Sequence, residues 1–250
     1  MIGKNLLDFT TEVGRFGIMM GRVTTELGAI FTRRKLFIRE CVRLGVNSLP
    51  LVLLVGLFTG AVSGWQLHYQ LQGYMPFDMI GPGVFKSIVL EMGPVLTGLV
   101  ISGRVAASIA AELGTMKVTE QIDALESMAI SSTRYLAVPR IAAMTIMMPV
   151  LVTQVNFIAI MGAWFVTTVF LSLTSAQFFG LIPAFFEVYD VFSGLLKSLF
   201  FGLSSSMIGC YVGFSATGGA EGVGNATITA FVWSSLTVLA LDFLLAMILF

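Results

Sequence analysis

Five apolar stretches, each long enough to cross a bilayer and interrupted by one charged island, constrain this chain more than any other feature. A helical span needs about 20 mostly apolar residues to cross about 30 Å of hydrocarbon. The stretches occupy 44–67, 85–111, 141–171, 192–214 and 227–250. The third exceeds the length required, which favours tilt or a start outside the lipid, and Pro149 is placed to bend it.

Composition decides between a membrane protein and a soluble domain with a large core. The 250 residues are 56% hydrophobic and 11% charged, and mean hydropathy is +0.92. Soluble domains carry about 25% charged residues, so burial in a core does not account for the deficit. The expected fold is an all-α integral membrane protein. Formal net charge is zero, which argues against a nucleic-acid partner. Cys41 and Cys210 lie far apart beside or within apolar segments and suggest neither a disulfide framework nor a metal cluster. The first residues, MIGKNLLDFTTEVGRFG, lack the long apolar region and cleavage site of a removed signal, so insertion is expected through an internal span.

Basic residues set the expected orientation. Lys4, Arg15, Arg22, Arg33, Arg34, Lys35, Arg39 and Arg43 precede the first span, and Lys117, Arg134 and Arg140 lie in the island. The opposite side has Lys86 and Lys197, assigned to span ends, with Asp78, Glu187 and Asp190. The N-terminus and the island are therefore expected in the cytoplasm and the C-terminus on the far side. Residues 1–43 mix apolar and basic positions as an amphipathic interfacial region does; residues 44–250 form the expected five-span domain. The aromatic-rich stretch 172–191 reads either as an interfacial helix over the outer mouth or as an ordinary aromatic belt.

The chain contains no GxxxxGK[ST] phosphate loop and no HExxH motif, and His68 is its one histidine. It is a poor candidate for a self-sufficient ATPase, hydrolase or metalloenzyme; His68 is expected as an interfacial polar group. Three charges fall within spans: Glu91, Arg104 and Asp242. Intramembrane charges are costly and face a protein interior, a cavity or an interface. From position 91 to 104 a helix rises about 20 Å at ~1.5 Å per residue, so these two do not pair within it. Glu91 is a candidate for a polar headgroup or for a bond to a neighbouring span. Arg104 is a candidate for substrate contact or for holding Glu112, Asp123 or another carboxylate. Asp242 is expected to bond a serine or asparagine of another span. Gly56, Gly60 and Gly64 repeat the GxxxG spacing, and Gly98, Ser102, Ala106 and Ala110 repeat the device in the second span. Such residues let helices approach closely, within one chain or between two copies.

The island, ELGTMKVTEQIDALESM, suits a short amphipathic helix over about 112–130. Glu112, Glu120 and Asp123 offer a charged face, and Met116, Ile122 and Leu125 apolar anchors. Gly114 is expected to permit the turn after the second span, with Thr115 or Thr119 capping the helix. A solvated connecting loop is the bland alternative.

The ordered series EMGPV, SGRVAASIAAELGTM and TEQIDALESM, within a five-span pattern, closely resembles the MlaE-type permease family of ABC lipid transporters. The likeness runs from position 90 onward through the fifth span, together with the glycine-rich connection ATGGAEGVGNATITAF. The resemblance implies a bacterial inner-membrane permease acting as a homodimer. Two cytoplasmic ATPase subunits carrying ATP and Mg would power it, with no cofactor in this chain. A small STAS-domain protein and a hexameric periplasmic MCE protein would be further partners, and phospholipid the cargo moved between inner and outer membranes. Glu91, Leu90 and Arg104 become candidate substrate or cavity residues. Glu112, Gly114, Met116, Thr119, Glu120, Gln121, Asp123 and Leu125 become candidate ATPase-coupling residues. The sequence departs from the family at Leu90 and Asn225, where basic residues are common among relatives. A membrane scaffold that joins ATPase and MCE protein without touching lipid is the alternative function.

Overall fold

The computed structural model describes residues 2–26, 28, 34–71 and 76–250, with side chains from Gly14 onward. Parts of the expected interfacial region 1–43 therefore lie outside the described residues. An N-terminal helix, α1 (Ile2–Glu26), precedes the membrane helices. The membrane helices are α2 (Arg34–Leu71), α3 (Phe77–Val118), α5 (Thr133–Phe170), α8 (Val188–Phe214) and α9 (Gly219–Leu249). Between them lie α4 (Gln121–Ser127), α6 (Ser175–Gly180) and α7 (Ile182–Phe185). The five long helices are each apolar and long enough to cross a membrane.

Each long helix begins before the apolar stretch that marks it. Helix α2 begins well before position 44, so helix runs unbroken through the boundary drawn there between interfacial region and permease domain. Helix α5 starts at Thr133 and takes in Arg140, whose side chain is almost fully buried. An apolar count stops at the first charge, but the helix continues because that charge is paired inside the protein.

The helices meet through small residues. Gly56, Gly60 and Gly64 of α2 face α5: an added Cβ at Gly56 would meet Val155 at 2.9 Å, and one at Gly64 would meet the Ala163 carbonyl at 3.1 Å. At Gly60 it would run into the Ala159 backbone. The GxxxG repeat thus packs within the chain. Helix α3 uses its own small residues against α8: Ser102 and Ser205 hydroxyls lie 3.3 Å apart, and the Gly209 and Gly213 positions abut Ala106 and Ala110. Helix α9 packs on α3 and α8, yet much of it faces outward, as at Ile228, Leu236, Phe243 and Met247.

At the end where α2 finishes and α3 begins, stretch 172–191 folds into α6 and α7. Thr174 and Gln177 form a reciprocal capping box at the start of α6. Phe178 is fully buried against Ile80, Val84 and Ile88, and the Trp164 indole donates to Ser175 Oγ at 3.1 Å. His68 stacks on Phe77 at 4.8 Å.

Candidate functional site: a lysine between two carboxylates beside an apolar groove

Helix α3 is not uniform. Two of its segments, Ile88–Met92 and Ser102–Ala106, are π-helical turns. Glu91 lies in the first and Arg104 in the second. Among the described residues two further π turns occur, Cys41–Gly45 in α2 and Thr133–Ala137 at the start of α5, carrying Arg43 and Arg134. A π turn widens the helix by one residue and re-aims its side chains, and such turns are frequent at functional sites.

Glu91 meets Lys197 of α8, with Oε1 2.5 Å from Nζ. The same ammonium stands 3.0 Å from Asp242 Oδ1 of α9. Lys197 has no solvent exposure, against 44% for the Glu91 side chain and 20% for Asp242. The Phe250 ring lies 5.8 Å from the ammonium, and Tyr189 Oη donates to the Leu249 carbonyl at 2.8 Å, tying the end of α9 to α8.

These pairs correct two expectations. Lys197 is not a span-end cation: it lies nine residues into α8 (188 to 197), about 13 Å of helix rise. Asp242 bonds this lysine, not a serine or asparagine. Of the two alternatives open for Glu91, the bond to a neighbouring span is formed. Leu90 supplies no charge, and the cation that faces Glu91 comes from α8.

Glu91 and Asp242 also line a groove of about 620 Å³ between α2, α3 and α9. Its other walls are mostly apolar, Phe58 and Val62 from α2 and Met92, Val95 and Leu96 from α3, with the polar Thr59, Ser63 and Gln66 also contributed by α2. The volume falls in the range of ligand pockets, about 300–1,000 Å³. The groove combines largely hydrocarbon-compatible walls with two carboxylates, an amide from Gln66 and, behind the carboxylates, the buried Lys197 ammonium.

Arg104 lies apart from this groove. Its guanidinium donates to the Ser48 hydroxyl of α2. Neither Glu112 nor Asp123 is its partner, because both are taken. Glu112 joins Arg43 at 2.6 Å and Arg140 at 2.9 Å, and Arg43 continues to the buried Glu40 at 2.8 Å. Asp123 accepts from Lys117 at 2.7 Å. The Glu40–Arg43–Glu112–Arg140 chain fastens the starts of α2 and α5 to the end of α3.

The island folds differently from the single helix expected over 112–130. Residues Glu112 to Val118 complete α3, the chain turns at Thr119 and Glu120, and α4 follows. Gly114 is buried inside α3, where an added Cβ would lie 3.2 Å from Ala216, so the turn comes later. Glu120 makes that turn in the left-handed region, φ 60°. Neither Thr115 nor Thr119 caps α4: their hydroxyls donate back to Ala111 and Thr115 carbonyls at 2.7 and 2.8 Å. Ile122 is buried, and Met116 and Leu125 pack partly buried against the same core, so the apolar anchors face inward. Thr119, Glu120, Gln121 and Asp123 remain exposed.

Comparisons with known proteins give the family. A sequence model of the family described as "Permease MlaE" matches residues 37–248. A probable ABC transporter permease protein of Rickettsia typhi is 37% identical over 250 residues, covering 100% of this chain and 96% of that protein. The intermembrane phospholipid transport system permease protein MlaE of Haemophilus influenzae is 34% identical, with 100% and 96% covered. A probable ABC transporter permease protein of Synechocystis is 36% identical over 206 residues, with 82% and 78% covered. The chain, a multi-pass membrane protein and transporter permease subunit, belongs to the MlaE permease family.

Proposed function

We propose that this permease moves phospholipid between the bacterial inner and outer membranes, driven by separate ATPase subunits. The observation that carries this reading is the groove: its apolar walls suit acyl chains, and the Glu91–Lys197–Asp242 cluster supplies fixed charge beside them. The name of the Haemophilus relative supports the cargo, and the permease names support ATP-driven transport. In this reading two copies place their exposed α2 and α9 faces around a shared cavity. The N-terminus and α4 lie in the cytoplasm, where exposed Thr119, Glu120, Gln121 and Asp123 meet the ATPase. The C-terminus lies in the periplasm, on the side of the MCE protein; a STAS-domain subunit completes the assembly. Nucleotide-driven motion between the two copies opens and squeezes the cavity.

Photo-crosslinking from Val62 and Leu96 in the reconstituted complex tests this. Lipid adducts that rise and fall with nucleotide state support transport through the groove. A complex that assembles and turns over ATP without adducts from either position supports a scaffold that never touches lipid.

A further inference from the structure

The π turn that presents Glu91 is approached by two neighbouring helices. Its closing bond runs from the Gly93 N–H to the Ile88 carbonyl, five residues back. From α8, Gly194 lies so close that an added Cβ would run into the Val89 carbonyl oxygen. Lys197 Nζ donates to the next carbonyl, that of Leu90, at 3.5 Å. From α5 the contact is an amide. Asn156 Oδ1 occupies the point where a Gly93 Cβ would stand, and the Ile88 carbonyl oxygen is 2.8 Å from that point. Three successive carbonyls of one turn are thus approached from outside their own helix.

Asn156 lies deep in the apolar body, 16 residues beyond the buried Arg140 (140 to 156), about 24 Å of helix rise. Its Oδ1 is buried and has no hydrogen-bond partner among the described residues. A polar group at that depth is costly unless it bonds, and leucine would fill nearly the same volume. Two acceptor oxygens crowding one point repel. Half a turn of the amide exchanges Oδ1 for its N–H2 without changing its shape, and the Ile88 carbonyl then gains a donor. Packing alone leaves the turn room to shift, because an apolar gap of about 10 Å³ lies between Ile88, Met92 and Gly93 of α3 and Val155 and Ala159 of α5. We infer that Asn156 is a positioning residue: its amide donates to the Ile88 carbonyl, holds the π turn, and so sets how Glu91 meets Lys197 and the groove. Relaxing the turn to α-helical geometry shifts the register by one residue, about 100° of rotation, and re-aims Glu91. The lipid consequence of that shift rests on the groove being the lipid path.

Ser63 Oγ of α2 lies 3.3 Å from the Met92 sulfur, so S63C/M92C in a C41S/C210S background reports the turn through a short bis-methanethiosulfonate crosslinker. Glu91, Lys197 and Asn156 stay in place. Adding N156L should lower crosslinking about fivefold, the scale of one neutral hydrogen bond, with little change in unfolding temperature. G93A/N156A puts a methyl where the amide stood. It should regain the stability that G93A alone loses, but not the crosslink. Crosslinking at the parent level in N156L or in G93A/N156A makes Asn156 a packing residue and overturns the inference. Photo-crosslinking to lipid from Leu96 in the reconstituted complex separates this role from the groove reading. Lipid adducts that form in the wild type and fall in N156L support both. A thiol crosslink that falls in N156L, with no lipid captured even by the wild type, supports the hold on the turn and sinks the groove reading. Lipid adducts unchanged in N156L despite a lost thiol crosslink overturn the positioning of Glu91 for lipid.

Discussion

Lys197 and Asp242 stand 3.0 Å apart on different helices, within the apolar body of the protein. One ammonium thereby neutralises a carboxylate from α9 while touching Glu91 of α3, and three spans are joined at a point where water is scarce. A buried charge without a partner costs several kcal/mol, whereas a paired one mainly fixes register.

Removing the shared cation should therefore expose two costs. K197M leaves Glu91 and Asp242 facing each other without compensation, and the expected loss is on the order of 3 kcal/mol. The half-exposed Glu91 holds the loss near the low end of that range. Thermal unfolding in detergent should show K197M clearly destabilised and E91Q/K197M/D242N largely restored. Lipid crosslinking in the groove should stay impaired in the triple variant, because neutral walls no longer orient a headgroup. Wild-type stability in K197M would show that the ammonium does not hold the three helices.

Glu91 and Arg104 should separate by step. E91Q keeps a hydrogen-bonding group near Lys197 and is expected to preserve complex yield while changing lipid adduct formation. R104A strips Ser48 of its partner across α2 and α3 and should reduce yield more than it changes adduct chemistry. Both quantities are to be measured on the same preparations. Equal losses of yield would remove the division.

The five spans were legible because lipid selects on composition alone, and composition is in the sequence. Their ends were not, because Arg43, Glu112 and Arg140 read as charges that stop a span yet pair with each other at 2.6 and 2.9 Å inside the protein. Glu91 stands out in the sequence as one of three intramembrane charges, but its partner Lys197 reads there as a span-end residue. A signal for Lys197 was present: Ser193, Gly194, Ser198, Phe201 and Gly202 recur around it at helical spacing, and all are buried. A lysine on that small-residue face points into the bundle. The turn at Glu120 had no comparable signal, since left-handed backbone at a glutamate follows from how Ile122 must reach the core and not from a local preference.

The helix contacts through glycine give a sharp stability test. G60A should destabilise strongly, because the new methyl meets the rigid backbone of Ala159 and not a movable side chain. G224A, in α9, is the control: an added Cβ there has no neighbour within 4 Å among the described residues. It should be neutral or stabilising by up to about 1 kcal/mol through helix propensity alone. Matching unfolding temperatures for the two variants would contradict the close α2–α5 approach.

The Glu112 junction should tolerate loss of charge less well from the arginine side. Arg140 is 4% exposed and Glu112 is 35% exposed. R140M leaves Glu112 with Arg43 alone and empties a buried position, for an expected cost of about 3 kcal/mol. E112Q keeps one acceptor oxygen for one arginine and turns an amide N–H toward the other, and because Glu112 is partly exposed it should cost less, about 2 kcal/mol. Denaturation of the purified chain orders the two, and the reverse order would show that the carboxylate, not the buried guanidinium, organises the junction.

The exposed face of α4 carries the last prediction. Ile122 and Leu125 face the core, while Thr119 and Glu120 of the turn and Gln121, Asp123, Ala124, Glu126 and Ser127 of α4 are exposed. E120K/D123K reverses that face and also breaks the Lys117–Asp123 contact. Surface ion pairs are worth about 1 kcal/mol or less, so insertion and fold should survive. The expected defect is functional: weaker ATPase-subunit binding, or ATP turnover no longer linked to lipid movement. E120G separates backbone from charge. Glycine relieves the left-handed strain at φ 60° and should stabilise the turn by about 1 kcal/mol. If charge at this position is what the partner reads, E120G should also show part of the coupling defect. Should E120K/D123K retain normal partner affinity, turnover and lipid transfer in a folded complex, α4 does not present the coupling surface.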